Sequence, residues 1–487
     1  MNITTRRLAS IVMVMFLALL VSTTWIQYFQ AESLNDDPRN ARSLYAQFGT
    51  DRGPIVVGGD AIADSVPVDD EWNYQRQYAQ GRLYAPLTGY YSLVSGTSGI
   101  EQAENDFLAG SADALWVDRL TNLLTGSDPQ GSAVELTIDP AAQQAAWDAL
   151  GDQRGAVVAL EPSTGKILAL VSKPTFDPND LATHSTSEAN QAYLDLVNDD
   201  DDPLISRATN TLYPPGSTFK LVTTAAALES GDYTPETVIP APSTYTLTQT
   251  ETQVGNFAGT SCASSGEMTL ADALRISCNT AYLGLAGELG ADDMNSQAEA
   301  FGFGSPYDVP FTTSASQYDP DVDAMTTAQV ELSGIGQGSV NTTPLQVAMT
   351  SAAIANGGEV MVPYSVDRIR DAELEVVEET RANALGRAIS SSTADELTDM
   401  MVSVVESGSG TAAQISGVSV AGKTGTAQHG DNSEPPHVWF TGFAPADDPQ
   451  VAVAVVVENG GAMGSEATGG RVSAPIAKAV MEAVLNG

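Results

Sequence analysis

Ser217-Thr218-Phe219-Lys220 sets a hydroxyl and an amine three residues apart, a spacing that brings both to one side of a helical turn within hydrogen-bonding reach. A serine attacks carbonyls at neutral pH only when a base takes its proton, and a lysine can be that base only where its surroundings hold it neutral. Tyr213-Pro214-Pro215-Gly216 forces a tight approach, and Leu221, Val222, Ala225 and Leu228 continue as an apolar helix. Ser217 is therefore expected at a helix amino terminus, where free N–H groups and the dipole favour an oxyanion. Taken alone, the same serine reads equally as an ordinary N-cap.

Three further patterns bear on that choice. Ser163-Thr164-Gly165-Lys166 repeats the spacing, but it falls in a turn between two expected strands, and its lysine should project to solvent. Ser277-Cys278-Asn279 sits where one expected helix ends and another begins. Ser33-Leu34-Asn35 and Ser339-Val340-Asn341 match the same loose pattern, so position has to choose among them. Lys423-Thr424-Gly425-Thr426 lies in an extended stretch; with five lysines in the chain, a chance Lys-[Ser/Thr]-Gly is expected in about one chain in ten. Its threonines and Lys423 suit a carboxylate, and Gly425 lets a ligand lie against the backbone.

Composition narrows the chemistry from outside. The 61 acidic and 21 basic residues give a formal charge of -40, which repels phosphate backbones and argues against nucleic-acid partners. A Ser-His-Asp triad would have to use His184, His429 or His437, whereas a lysine base needs none of them. No His or Cys spacing suggests a metal site, and no cofactor is expected. Cys262 and Cys278 stand open between two readings, a disulfide closing a short loop and a pair of buried thiols.

The elements that must position these residues follow from the pattern. After Arg6 and Arg7 the chain is uncharged from Leu8 to Phe29, long enough to cross a hydrocarbon core, with Trp25, Tyr28 and Phe29 at its far end. This predicts an anchor over 1–30 with a cytoplasmic amino terminus and an extracytoplasmic body; a cleaved signal is the rival, weakened by a poor cleavage pattern. Residues 31–130 lack long helical periodicity and read as short strands broken by Gly58, Gly59, Pro86 and Gly89, an interaction or pedestal module. A linker at Gly126-Ser127-Asp128-Pro129-Gln130-Gly131 leads to a mixed α/β domain over 131–487. Strands are expected at 134–138, 156–161, 167–172, 438–442 and 451–458, the last a buried central strand. Helices are expected near 141–150, 217–229, 269–275, 280–289, 342–356 and 474–485. The acidic run 199–202 should be a solvated loop.

The ordered set Ser-x-x-Lys, Ser-x-Asn, Lys-Thr-Gly is the signature of penicillin-binding proteins and class A β-lactamases. Asp36 to Asn40, Tyr84 to Gly89, Gly155 to Gly165, Tyr213 to Lys220, Ser277 to Tyr282, Lys423 to Gly430 and Pro435 to Trp439 extend the likeness along nearly the whole chain. The sequence resembles the class B penicillin-binding proteins, in their actinobacterial penicillin-binding protein A group. The resemblance implies an antiparallel sheet flanked by helices, a smaller β-rich pedestal of dimerisation type, and D,D-transpeptidation of peptidoglycan with covalent capture of β-lactams. It implies Ser217 as nucleophile, Lys220 as its base, Ser277 as proton relay, and Asn279 as orienting residue. It places the substrate carboxylate on Lys423, Thr424 and Thr426, and the oxyanion hole on the N–H groups of Ser217 and Thr426. Peptidoglycan stem peptides would be the substrates and a separate glycan polymerase the partner, in cell-wall synthesis, shape or division. A β-lactamase would need a Glu-x-x-Leu-Asn pattern between the second and third motifs, and the one match, Glu482 to Asn486, follows the third. A carboxypeptidase shares every motif, and a β-lactam sensor or division scaffold would bind without turning over.

Overall fold

The computed structural model describes residues 3–30, 34, 48–115, 130–256, 259, 261–430 and 434–487. The expected stretches at 31–33, 35–47, 116–129 and 431–433, including Asp36 to Asn40 and most of the linker, lie outside them. The amino-terminal helix runs Ile3–Phe29 with no buried residue, and its 27 residues rise about 40 Å, enough to cross a bilayer core.

A six-stranded sheet follows, but it does not stop at the expected linker. Its order is Val376–Glu379, Val366–Arg370, Ala133–Leu136, Ile55–Val57, Asp60–Pro67 and Tyr74–Tyr78. Ile55 pairs in parallel with Val134; every other pairing is antiparallel. Three of the six strands thus come from beyond residue 131, and Ile55, Val57, Val134, Leu136, Val366 and Ile369 share one apolar core. The pedestal is also less uniformly β than expected. Gly81–Thr88 is a helix that includes Pro86, because Leu83, Tyr84 and Leu87 bury in the main core while Ala85 buries in a second cluster with Phe176 and Leu181; Gly89, at φ 65°, ends it. Two turns of helix are too short to announce themselves by periodicity, and burial decides them.

Inside this module Glu101 is fully buried between two guanidinium groups, 2.6 Å from Nε of Arg52 and 2.6 Å from Nε of Arg76. Arg52 also donates to the Glu101 carbonyl and to Asn105, and Arg76 to the Gly53 carbonyl. Glu101→Gln strands two buried cations, so it is expected to cost about 3–5 kcal/mol, read as a lowered urea midpoint of the soluble body.

The second sheet has five antiparallel strands ordered Ala421–Ala427, His437–Ala444, Val451–Val457, Gly155–Leu160 and Ile167–Lys173. Val451–Val457 is the central strand, and all seven of its residues are buried, as a continuous β-branched run requires. The helix Pro344–Ala355 packs on one face; Ser473–Asn486 and Pro140–Leu150 pack on the other. Asp139 caps Pro140–Leu150 through two backbone N–H groups, and Thr343 caps Pro344–Ala355, each followed by proline at the first helical position. The helix Ser391–Ser407, absent from the sequence reading, buries Leu397, Met401 and Val404 against the edge strand Ala421–Ala427. Lys166 does not project freely to solvent, since its Nζ is 2.9 Å from Asp367 and clips the hairpin to the strand Val366–Arg370.

Candidate active site

The nucleophile turn is built by close approach. Tyr213 exchanges backbone hydrogen bonds with Thr342, and Gly216 donates to the Gly336 carbonyl at 3.0 Å. Gly216 has φ 54°, and a Cβ there would lie 2.7 Å from the Thr426 carbonyl oxygen, so only glycine serves. One 3₁₀ turn, Gly216–Phe219, then opens into the helix Lys220–Glu229. Ser217 sits in that first turn and its side chain lines a cleft of about 800 Å³.

Lys220 is fully buried beneath it, but its amine is not directed at Ser217. Its Nζ donates to the Ser277 carbonyl and to Asn279 Oδ1, both at 2.8 Å, and to Ser277 Oγ at 3.3 Å. The expected Ser217–Lys220 hydrogen bond is thus replaced by bonds to the second motif, a resting geometry of the kind that tightens only with substrate in place. Ser277 has φ 62° and ends the helix Leu270–Arg275, a left-handed position usually given to glycine. Its hydroxyl receives a second amine, Nζ of Lys423 at 2.8 Å. Cys278, the next residue, is buried and bonded to Cys262.

Lys423 comes from the edge strand Ala421–Ala427, is as buried as Lys220, and also donates to the Thr424 carbonyl at 2.9 Å. Thr424 Oγ1 meets Ser409 Oγ at 2.6 Å. Gly425 serves packing as much as ligand approach: a Cβ there would lie 2.9 Å from that of Trp439 and 3.1 Å from the Pro215 carbonyl oxygen, holding the edge strand off the nucleophile turn. Thr424, Gly425 and Thr426 line the same cleft as Ser217, Ser277 and Asn279.

The electrostatics follow from two amines buried on one hydroxyl. Burial, and then the neighbouring Lys423, hold Lys220 well below the usual lysine range. Burial pulls Lys423 down to about 7. Two cations on one buried hydroxyl would repel each other, so the doubly protonated pair is disfavoured and either amine can give up its proton. Ser277 Oγ, between them, is a ready path for that proton.

The rival patterns are elsewhere. Ser339 bonds Asp319, and Asn341 pairs with Gln317; Ser33 and Asn35 lie outside the described residues. Glu482 and Asn486 sit in the terminal helix, bonded to each other through the Glu482 carbonyl. His184 pairs with Asp70, while His429 and His437 stack on each other at 3.8 Å, and burial lowers His437 to about 4. Sequence reasoning did not assign other residues of the cleft lining to the site, among them Asn256, Gln337, Ser409, Gln428 and Thr468 to Gly470. Of these, Gly469 is required by close approach, since a Cβ there would lie 1.9 Å from the Trp439 carbonyl oxygen.

Residues 155–482 match the penicillin binding protein transpeptidase domain. This chain belongs to the penicillin-binding protein transpeptidase family. Residues 52–134 match the penicillin binding protein A dimerisation domain. Peptidoglycan D,D-transpeptidase PbpA of Mycolicibacterium smegmatis is 44% identical over all of this chain and 99% of that protein. The ceftriaxone acyl-enzyme complex of penicillin-binding protein A from Mycobacterium tuberculosis superposes with a TM-score of 0.87 at 42% identity, covering 90% of this chain and 99% of that one. Peptidoglycan D,D-transpeptidase MrdA of Acinetobacter baumannii is 32% identical over 82% of this chain and 65% of its own. The mixed α/β fold expected from the sequence is that of this penicillin-binding protein family.

Proposed function

We propose that this penicillin-binding protein is a peptidoglycan D,D-transpeptidase that works through an acyl-enzyme on Ser217. The observation that carries the reading is the convergence of two fully buried lysines on Ser277 Oγ, on the floor of the cleft that Ser217 lines. Lys220, held neutral, takes the Ser217 proton as Oγ bonds to the penultimate D-alanine carbonyl of a stem peptide. The amide C–N bond then breaks, and the proton passes through Ser277 to the leaving D-alanine amine. Asn279 orients Lys220 and a substrate amide; Lys423, Thr424 and Thr426 take the terminal carboxylate, and the N–H groups of Ser217 and Thr426 the oxyanion. An amine of a second stem peptide attacks the ester, forms the cross-link and returns the proton to Ser217.

The helix Ile3–Phe29 would anchor the enzyme with Arg6 and Arg7 inside and the cleft outside, where stem peptides are found. Ile55–Val57, Asp60–Pro67 and Tyr74–Tyr78, between the anchor and the five-stranded sheet, belong to the pedestal sheet, and the glycan strands would come from a separate polymerase. Supplying the soluble body with a peptide ending in D-alanyl-D-alanine and an excess of acceptor amine is expected to give new amide product by mass spectrometry. The share of that product should grow with acceptor concentration. Hydrolysed peptide alone, whatever the acceptor concentration, would make the protein a carboxypeptidase.

A further inference from the structure

The helix Asn279–Leu289 begins at the residue that binds Lys220, and it begins without a cap of its own. Its N-cap position is Cys278, which makes no side-chain capping bond and whose sulfur is joined to Cys262. The first backbone N–H groups of a helix need an acceptor, most of all when buried. Here the acceptor comes from another segment. Asn256 Oδ1 receives the N–H groups of Asn279 at 2.9 Å and Thr280 at 3.1 Å, and its Nδ2 donates to Thr280 Oγ1 at 3.3 Å.

The adjoining residue completes the hold. Asn279 Nδ2 donates to the Gly255 carbonyl at 3.3 Å, which turns its Oδ1 toward Lys220 Nζ. The two-residue shelf Gly255-Asn256 therefore sets both the backbone and the amide orientation of Asn279. The shelf is itself braced. Its strand Gln253–Gly255 pairs with Thr244–Thr246, where Tyr245 bonds the buried Glu331, and Sγ of the disulfide-bonded Cys278 lies 3.6 Å from Asn256 Oδ1.

We propose that Asn256 is a positioning residue for the acylation step, an N-cap supplied in trans that aims Asn279 at Lys220. It touches no reacting atom in this scheme. Its effect passes through the acceptor it holds against the general base, whose other facing groups are Lys423 from the edge strand and the Tyr282 ring at 5.2 Å. The inference rests on Lys220 being the base.

The test measures acylation of the detergent-solubilised full-length protein by a fluorescent penicillin against pH, beside thermal melting, for Asn256→Ala and Asn256→Asp. Alanine removes the acceptor, so acylation is expected to slow about 10- to 100-fold, the usual penalty for a misplaced catalytic group, while Ser217 is still labelled at long times. Aspartate accepts the same two N–H groups and suits a helix amino terminus. It should melt like the unmodified protein and recover most of the rate at high pH. Its charge favours protonated Lys220, so the acid limb of its profile should move to higher pH. Equal rates and pH profiles for all three proteins would overturn the proposal. So would an alanine variant slowed only in proportion to lost folded protein, with aspartate giving no recovery. Failure of the unmodified protein to label would instead remove the assignment of Ser217 and Lys220 beneath it.

Discussion

Ser217→Ala is expected to abolish covalent capture of penicillin while leaving the fold intact. Intact-mass spectrometry of the unmodified soluble body should show one added penicillin that persists for hours, and the variant should show none. The change is clean because Ser217 lines the cleft and the bonds of Lys220 go to Ser277 and Asn279 instead of to it. Losing the hydroxyl orphans no buried donor or acceptor, so the free energy of unfolding should hold to within about 0.5 kcal/mol. Ser163→Ala is the matched control, since Ser163 shares the Ser-x-x-Lys spacing and its Lys166 is paired with Asp367. Labelling of Ser217→Ala would falsify the nucleophile assignment. Rapid loss of the adduct from the unmodified protein would turn the reading toward a β-lactamase.

What the residues declared in advance, and what they hid, divides along the chain's local and distant contacts. The three motifs were legible because each carries its chemistry within four residues: a hydroxyl and amine on one turn, a serine and asparagine at a helix junction, a lysine beside a glycine on a strand. The central strand was legible because Val451–Val457 is buried on both faces and so lacks polar alternation. Asn256 was not, since nothing around it in sequence signals that a helix beginning at residue 279 lacks a cap. Glu101, Arg52 and Arg76 read singly as surface charges until the fold buries them together. The pedestal sheet could not be bounded from sequence because Val366–Arg370 and Val376–Glu379 join it from more than two hundred residues away. The helix Ser391–Ser407 is different: Ala394, Leu397, Met401, Val404 and Val405 form a regular helical stripe that periodicity alone suffices to find.

Lys220→Met should slow acylation at neutral pH by about 10³-fold or more, since it removes the general base from beneath Ser217. Methionine keeps much of the side-chain volume in a fully buried site, so the loss is one of chemistry and not of packing. The same substitution separates the cost of the base from its use. In the folded protein Lys220 is held well below its ordinary range, by burial and then by Lys423, whereas in the unfolded chain it titrates near 10.5. Between those two values the unfolded chain binds a proton that the folded protein does not, so the stability of the unmodified protein rises with pH across that window. Lys220→Met has no such group. Relative to the variant, the unmodified protein should therefore gain stability as pH rises toward 10.5, measured as parallel urea unfolding at several alkaline pH values. A constant difference across that range would mean that Lys220 is already protonated in the folded state. It could not then take the Ser217 proton, and the base would have to be sought in Lys423, which burial pulls down to about 7 and which holds the same Ser277 hydroxyl.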